Sequence, residues 1–243
     1  MNALSVLVAA EEEGSGTDIE VGHHITTQIF GLTVNLDTIY STVIAGVIVC
    51  GFGIWMARRA TAEVPGKLQL FFEMVVDATR KQVETTIGPQ AAFVVPLAVS
   101  LFMFLLIANW LELIPTKEYL KSPTADVNLA YALALVVIIW VHVVALQQRG
   151  SAYIKGFFKP AGQAPIKLIE ELVKPVTLSL RLFGNLFSGG IMLALIALFP
   201  YYILPVPNIA WKLFAAAIGV VQAFIFALLT VLYFSFALSE EGH

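Results

Sequence analysis

Long apolar runs separated by short polar breaks set the plan of this chain. The first extends from about Thr38 to Ala57 and stops at Arg58 and Arg59. The second covers Ala92 to Leu113 and is closed by Pro115; the third covers Leu129 to Leu146 and ends at Gln147, Gln148 and Arg149. Ile166–Phe199 and Pro207–Leu238 follow, joined by a turn over Pro200–Pro205. About twenty apolar residues cross a bilayer as a helix, so each run predicts a membrane span. Each of the last two has more than about thirty residues, or roughly 45–50 Å of helix, against a hydrocarbon core of about 30 Å. They must tilt, kink or project, and the short turn between them predicts a long tilted hairpin.

One segment has a different period. Between Pro65 and Gly88, Leu68, Phe71, Phe72, Val75, Val76, Val83 and Ile87 recur at helical spacing, with Lys67, Glu73, Asp77, Arg80, Lys81 and Glu84 between them. This predicts an amphipathic helix over about 65–88 that lies on the membrane interface. Residues 1–36 form a polar, acidic segment without lysine or arginine, and residues 37–243 form a single membrane domain. The expected fold is thus all-α, with five membrane helices and one interfacial helix. The short apolar stretch Ala3–Ala10 has no positive region before it, which argues against a cleaved signal peptide.

Composition agrees with this class. The chain is 58% hydrophobic and 13% charged, against about 25% charged in ordinary soluble domains. A net charge of −3 argues against nucleic acid as a partner. The single cysteine, Cys50, lies in an apolar run, so no internal disulfide and no redox motif is expected. His23 and His24 are adjacent and point to different faces of any regular element, which makes them poor metal ligands. No metal, cofactor, nucleotide-binding loop or nucleophile elbow is expected. Lysines and arginines crowd one set of span ends, among them Arg58, Arg59, Arg80, Lys81, Arg149, Lys155 and Lys159, whereas Lys117, Lys121 and Lys212 are alone on the other. The positive-inside rule then sets the N-terminus outside and the C-terminus in the cytoplasm.

The candidate chemistry centres on Arg181. Within an apolar run, Glu170, Lys174, Thr177, Arg181, Asn185 and Ser188 follow at steps of three and four and make one polar stripe on a helix. A guanidinium keeps its proton, so it must face a bundle interior or a watery cavity rather than lipid. Gln222 is the polar residue on the last helix best placed to meet this stripe; gluing two helices together is its plainer role. Asp37, Glu112 and Asp126 all fall at outer span ends. Together they predict an acidic mouth for protons or cations; singly, each equally suits a helix end. His142 on the third span is a relay candidate by its place in the membrane, but it lies near the inner surface, where a structural role is the plainer reading.

Leu180, Arg181, Leu182, Phe183, Gly184 and Asn185 form a run that strongly resembles the signature of the subunit a family of rotary F-type ATP synthases, bacterial type. Asn35-Leu36-Asp37, Val64–Lys67, Ala125–Asn128 and Gln222–Phe226 agree with that family in the same order. The resemblance implies a stator channel subunit, not an enzyme by itself, that offers two proton half-channels to the carboxylates of a c-subunit ring and couples proton flow to rotation and ATP synthesis. It implies Arg181 as the essential charge facing the ring. Thr177, Asn185 and Gln222 match polar half-channel positions, and Asp37, Glu112 and Asp126 match acidic positions of the outer access channel. Implied partners are the c ring, b-type peripheral stalk subunits, the F1 sector indirectly and the lipid bilayer, in a bacterial plasma membrane. Gly190 and Ala215 depart from the pattern, because many members carry an ionisable pair there. Two other readings fit the residues: a secondary transporter in which Arg181 binds an anionic substrate, and a structural membrane anchor. The absence of an inverted repeat speaks against the first.

Overall fold

The computed structural model describes residues 26–29, 32–61, 64–111, 113, 123, 126–150, 153 and 164–238. For residues 26–29, 32–34, Val127 and much of 164–187 it describes the course of the backbone and not the side chains. The described part opens with a hairpin, β1 (Thr26–Ile29) and β2 (Leu32–Asn35). Six helices follow among the described residues: α1 (Leu36–Arg59), α2 (Lys67–Thr86), α3 (Val94–Leu111), α4 (Val127–Arg149), α5 (Ala164–Ala197) and α6 (Pro205–Leu238). A single 3₁₀ turn, Pro89–Ala91, links α2 to α3. Gly88 before it has φ of +119°, a conformation that only glycine adopts without strain.

The membrane part is all-helical, as expected; the hairpin adds a short strand pair within the segment up to residue 36, which was expected only to be polar and acidic. β1 and β2 pair antiparallel, with Thr26 opposite Asn35 and Ile29 opposite Leu32. Thr26, Thr27, Ile29, Thr33 and Val34 are β-branched and suit a pleated ribbon. The acidic residues that coloured the reading of 1–36 lie upstream of them. The helices otherwise fall where the apolar runs predict, with ends shifted by a few residues. Helical hydrogen bonding runs on past the last apolar residue, as at Arg58–Arg59 and Gln147–Arg149. Pro205 enters at the start of α6, where a missing N–H is harmless.

Among the described residues, four helices, α1, α3, α4 and α6, are long and apolar enough to cross a membrane. α5 has 34 residues, of which Ser188–Ala197 form a shorter apolar stretch. α3 is the central element, packing on α1, α2 and α6, while α6 also packs on α4, and α5 lies mainly on α4 and less on α6. Thus the last two helices touch, but each has another helix as its main neighbour. Val94, Ala98 and Leu105 of α3 meet Ala134 and Val137 of α4 and Ala223, Phe226 and Phe234 of α6 in one core. In lipid, burial of apolar surface does not drive helices together, so small residues that permit close approach carry the packing. α1 is the least embedded span: Val43, Val47 and Ile54 are more than half exposed, as suits a lipid-facing helix.

Polar ties place the N-termini of α1, α4 and α6 at one end with the C-terminus of α3, so α3 runs antiparallel to these three spans. At one end, Asn35 and Thr38 of α1 meet Asp126 before α4, and Lys212 Nζ reaches the Leu113 carbonyl at 3.5 Å. At the other, Ser235 Oγ donates to the Thr86 carbonyl at 3.0 Å and Arg149 donates to the Ala237 carbonyl at 3.2 Å. The last of these places a cation at the C-terminus of α6, where a helix dipole favours it. α2 packs one face on the bundle: Val83 is fully buried and Phe72, Val75 and Val76 pack against the core, while Leu68, Leu70, Phe71 and Met74 stay exposed.

Ser41 supports a prediction about stability. It is fully buried on α1, and its hydroxyl oxygen has no hydrogen-bond partner. A buried hydroxyl left unpaired is unfavourable by about 1–3 kcal/mol. Ser41→Ala therefore leaves thermal stability of the detergent-extracted protein equal to or above that of the parent, by up to about 1 kcal/mol. A clear fall in melting temperature is the result that contradicts this.

Candidate functional site

The arginine stripe lies on α5, whose helical course through residues 164–197 is continuous. The side chains of Glu170, Lys174, Arg181 and Asn185 lie outside the described ones. The register of their neighbours is informative. Val173, Thr177, Leu180, Gly184, Ser188, Met192 and Leu195 are all exposed and recur at steps of three and four. One face of α5 is therefore open along most of its length, and the backbone position of Arg181 falls on it between Thr177 and Gly184. Thr177 Oγ1 donates to the Val173 carbonyl at 3.0 Å, and Ser179, turned away from this face, is 1% exposed and donates to the Val176 carbonyl. Gly184 would meet nothing within 4 Å if it carried a Cβ. The open face thus has shallow relief where the arginine stands.

Gln222 is on the buried face of α6, 5% exposed, in register with Gly219 and Phe226. That face packs on α3. There Asn109 Nδ2 donates to the Gly219 carbonyl at 3.3 Å and Trp110 Nε1 donates to the Ala216 carbonyl at 3.2 Å. Both acceptors already serve helix α6, and a carbonyl has two lone pairs, so the side chains add a second bond to each. A Cβ on Gly219 would stand 3.1 Å from Asn109 Cβ, so the glycine permits the approach that lets these bonds form. Sequence reasoning passed over Asn109. A buried asparagine inside an apolar run was the available signal.

The outer acidic group is brought together in part. Asp37 and Asp126 are 3% and 6% exposed, near the N-termini of α1 and α4. Asp126 Oδ2 accepts from Asn35 Nδ2 at 2.6 Å and from Thr38 Oγ1 at 2.8 Å. Its Oδ1 accepts from the backbone N–H of Asn128 at 2.9 Å, the ordinary bond of an N-cap. The Thr38 N–H meets Asp37 Oδ1 at 2.9 Å. Glu112, the third acid, lies outside the described residues. Asn35 and Thr38 were not foreseen as members of this group, because only the fold brings residues 35 and 126 together.

At the opposite end of α4, His142 Nδ1 lies 2.8 Å from the Ile138 carbonyl, so this nitrogen carries a proton and donates it there. Its ring stands edge-on to Tyr153 at 6.0 Å. The structure therefore sets His142 apart from the acidic group. Gly190 and Ala215 are both half-buried.

The fold and these sites define a multi-pass helical membrane protein with buried polar ties between its spans and one long helix whose arginine-bearing face stays open. A family profile described as the ATP synthase A chain matches residues 39–235. ATP synthase subunit a of Acidothermus cellulolyticus is 48% identical over 241 residues, covering 97% of this chain and 89% of its own. That of Mycobacterium bovis is 49% identical over 243 residues, covering 93% and 96%, and that of Coxiella burnetii is 35% identical over 231 residues, covering 87% of each. The chain belongs to the ATP synthase A chain family, the subunit a of F-type ATP synthases.

Proposed function

We propose that this chain is the membrane stator of a rotary ATP synthase and presents Arg181 to the carboxylates of a c-subunit ring. The observation that carries this reading is the open face of α5, with Arg181 in register between exposed Thr177 and Gly184. A permanent charge on a face left uncovered by its own chain needs a partner that supplies the opposite charge. The bilayer is crossed by α1, α3, α4, α5 and α6, with α2 along the inner surface, the N-terminus outside and the C-terminus in the cytoplasm of a bacterium. The b-type stalk subunits hold this stator against the ring, and the F1 sector is reached through them.

In this reading a proton enters at the acidic mouth formed by the outer ends of α1 and α4 and neutralises a ring carboxylate. A neutral carboxyl faces lipid at far smaller cost than a charged one, so the ring turns. A carboxyl that comes round to Arg181 is favoured in its charged form and releases its proton to the inner side. The fixed charge of Arg181 also keeps protons from passing straight between the two half-channels. Water held near Asn185, Ser188 and Gln222 bridges the stretch beside Gly190 and Ala215, where this chain has no ionisable side chain. The chain carries no nucleotide chemistry of its own.

The test is ATP-driven acidification of inverted membrane vesicles that carry Arg181→Ala, with assembly of the complex quantified in the same membranes. Lost pumping with normal assembly supports the stator reading; retained pumping leaves a structural anchor.

A further inference from the structure

We propose that Asp126 is a positioning residue that locks the outer end of α1 onto α4 and so holds Asp37 in place, and that it does not exchange protons itself. This rests on the outer access path proposed above and assigns different roles to two acids at its mouth. The starting observation is the saturation of the Asp126 carboxylate. It is 6% exposed, and three donors are fixed on it: the Asn128 N–H at 2.9 Å, the Asn35 amide at 2.6 Å and the Thr38 hydroxyl at 2.8 Å. Bonds to a charged acceptor are the strong class, and each points a hydrogen at the oxygen. Adding a proton would turn an acceptor into a donor facing donors. A group that hands protons on must lose and regain its proton in each cycle, and this one is built to stay charged.

The choice of donors shows what the charge is for. Asn35 occupies the N-cap of α1, where an asparagine ordinarily accepts a bond from its own helix, yet its side chain makes no cap bond. It reaches instead to a residue 91 positions away. Thr38 is shared: its hydroxyl donates to Asp126 and its N–H to Asp37 Oδ1. Residues 35 and 38 flank Asp37, so fixing both fixes the backbone that carries it. α1 needs such a pin, because it packs mainly on α3 and is otherwise the most exposed of the spans.

The experiment uses the whole complex reconstituted in vesicles. It measures the rate of ATP synthesis under an imposed proton gradient as a function of pH on the side from which protons enter. The variants are Asp126→Asn, Asp126→Ala and the pair Asn35→Ala with Thr38→Val; the amount of assembled complex is quantified for each. An amide in place of Asp126 keeps one acceptor oxygen but cannot carry a proton at working pH. The expected result is that Asp126→Asn stays within about threefold of the parent with an unmoved pH midpoint, since an amide oxygen in the Oδ2 place keeps both ties to Asn35 and Thr38 and only the bond from the Asn128 N–H is lost. Asp126→Ala and the Asn35/Thr38 pair lose about tenfold or more, because misplacing a reacting group is expensive. An assembled Asp126→Asn complex as inactive as Asp126→Ala overturns the proposal. If Asp126→Asn does not assemble, the Asn35/Thr38 pair decides, since it leaves both carboxylates in place: a full rate or a shifted midpoint overturns the proposal, and a tenfold loss at an unmoved midpoint supports it. Pumping retained in Arg181→Ala defeats the stator reading itself; pumping lost there, with synthesis also lost in Asp126→Asn, defeats only the present inference.

Discussion

Vesicles carrying Arg181→Ala contain the assembled complex at parental levels and do not acidify on addition of ATP. The expected loss is at least about a hundredfold, because removing one partner of a desolvated ion pair leaves the other charge unpaired at about 3–5 kcal/mol. In the proposed stator mechanism, a ring carboxylate that comes round to an uncharged face keeps its proton, and the cycle stops. Under the same proposal, these membranes are expected to leak protons faster when a gradient is imposed, since no fixed positive charge would then separate the two half-channels. Arg181→Lys separates charge from shape. A lysine supplies a point charge without the planar fork and loses its proton more readily when desolvated. Its pumping is therefore reduced and falls further as pH rises, whereas a requirement for charge alone predicts parental pumping across the neutral range. Dye-quenching measurements of acidification between about pH 6 and pH 9 resolve the two.

Replacing Gly219 by valine removes the subunit from the complex. The neighbour that a side chain meets there is Asn109 Cβ at 3.1 Å. That atom is attached directly to the α3 backbone and cannot swing aside, so the helices themselves must separate. Even alanine demands a shift of a few tenths of an ångström; valine adds two methyl groups at the same point. Overpacking of this kind is unfavourable by about 1–3 kcal/mol. Separation also breaks the bonds of Asn109 to Gly219 and of Trp110 to Ala216, and in an apolar setting their donors find no water to replace them. Gly219→Ala is expected to assemble with a modestly lowered melting temperature, and Gly219→Val to be nearly absent from purified complex. Parental yield and melting temperature in the valine variant would show that the seam between α3 and α6 is looser than its geometry indicates.

The membrane class, the helices to within a few residues and the place of Arg181 on a long helix were all legible in the order of residues. Each depends on a local rule. An apolar run of sufficient length must be a helix in lipid, since its backbone has no other hydrogen-bond partner. A stripe at steps of three and four is a helix face whatever surrounds it. A guanidinium inside such a run stays charged and therefore has to be used.

What the linear order withheld depends on which faces meet. The strands Thr26–Ile29 and Leu32–Asn35 are short and polar, and only their pairing distinguishes them from a loop. That Gln222 shares the face of α6 that is turned into the bundle shows only in the packing, where Gly219 on that face meets Asn109 of α3. Asn109 counts as one polar residue in an apolar run until it is seen to approach the Gly219 carbonyl. Asp37 and Asp126 look alike as acids at span ends, yet three donors converge on one of them, and two of those donors come from a helix 88 or more positions earlier. Sequence alone determined that this protein lies in the membrane with an arginine at mid-span, because hydropathy and helical period are properties of neighbours along the chain. Tertiary structure decided which face of each helix is open and which polar groups are held fixed, because hydrogen bonds between spans depend on the rotation and approach of helices that no local pattern specifies.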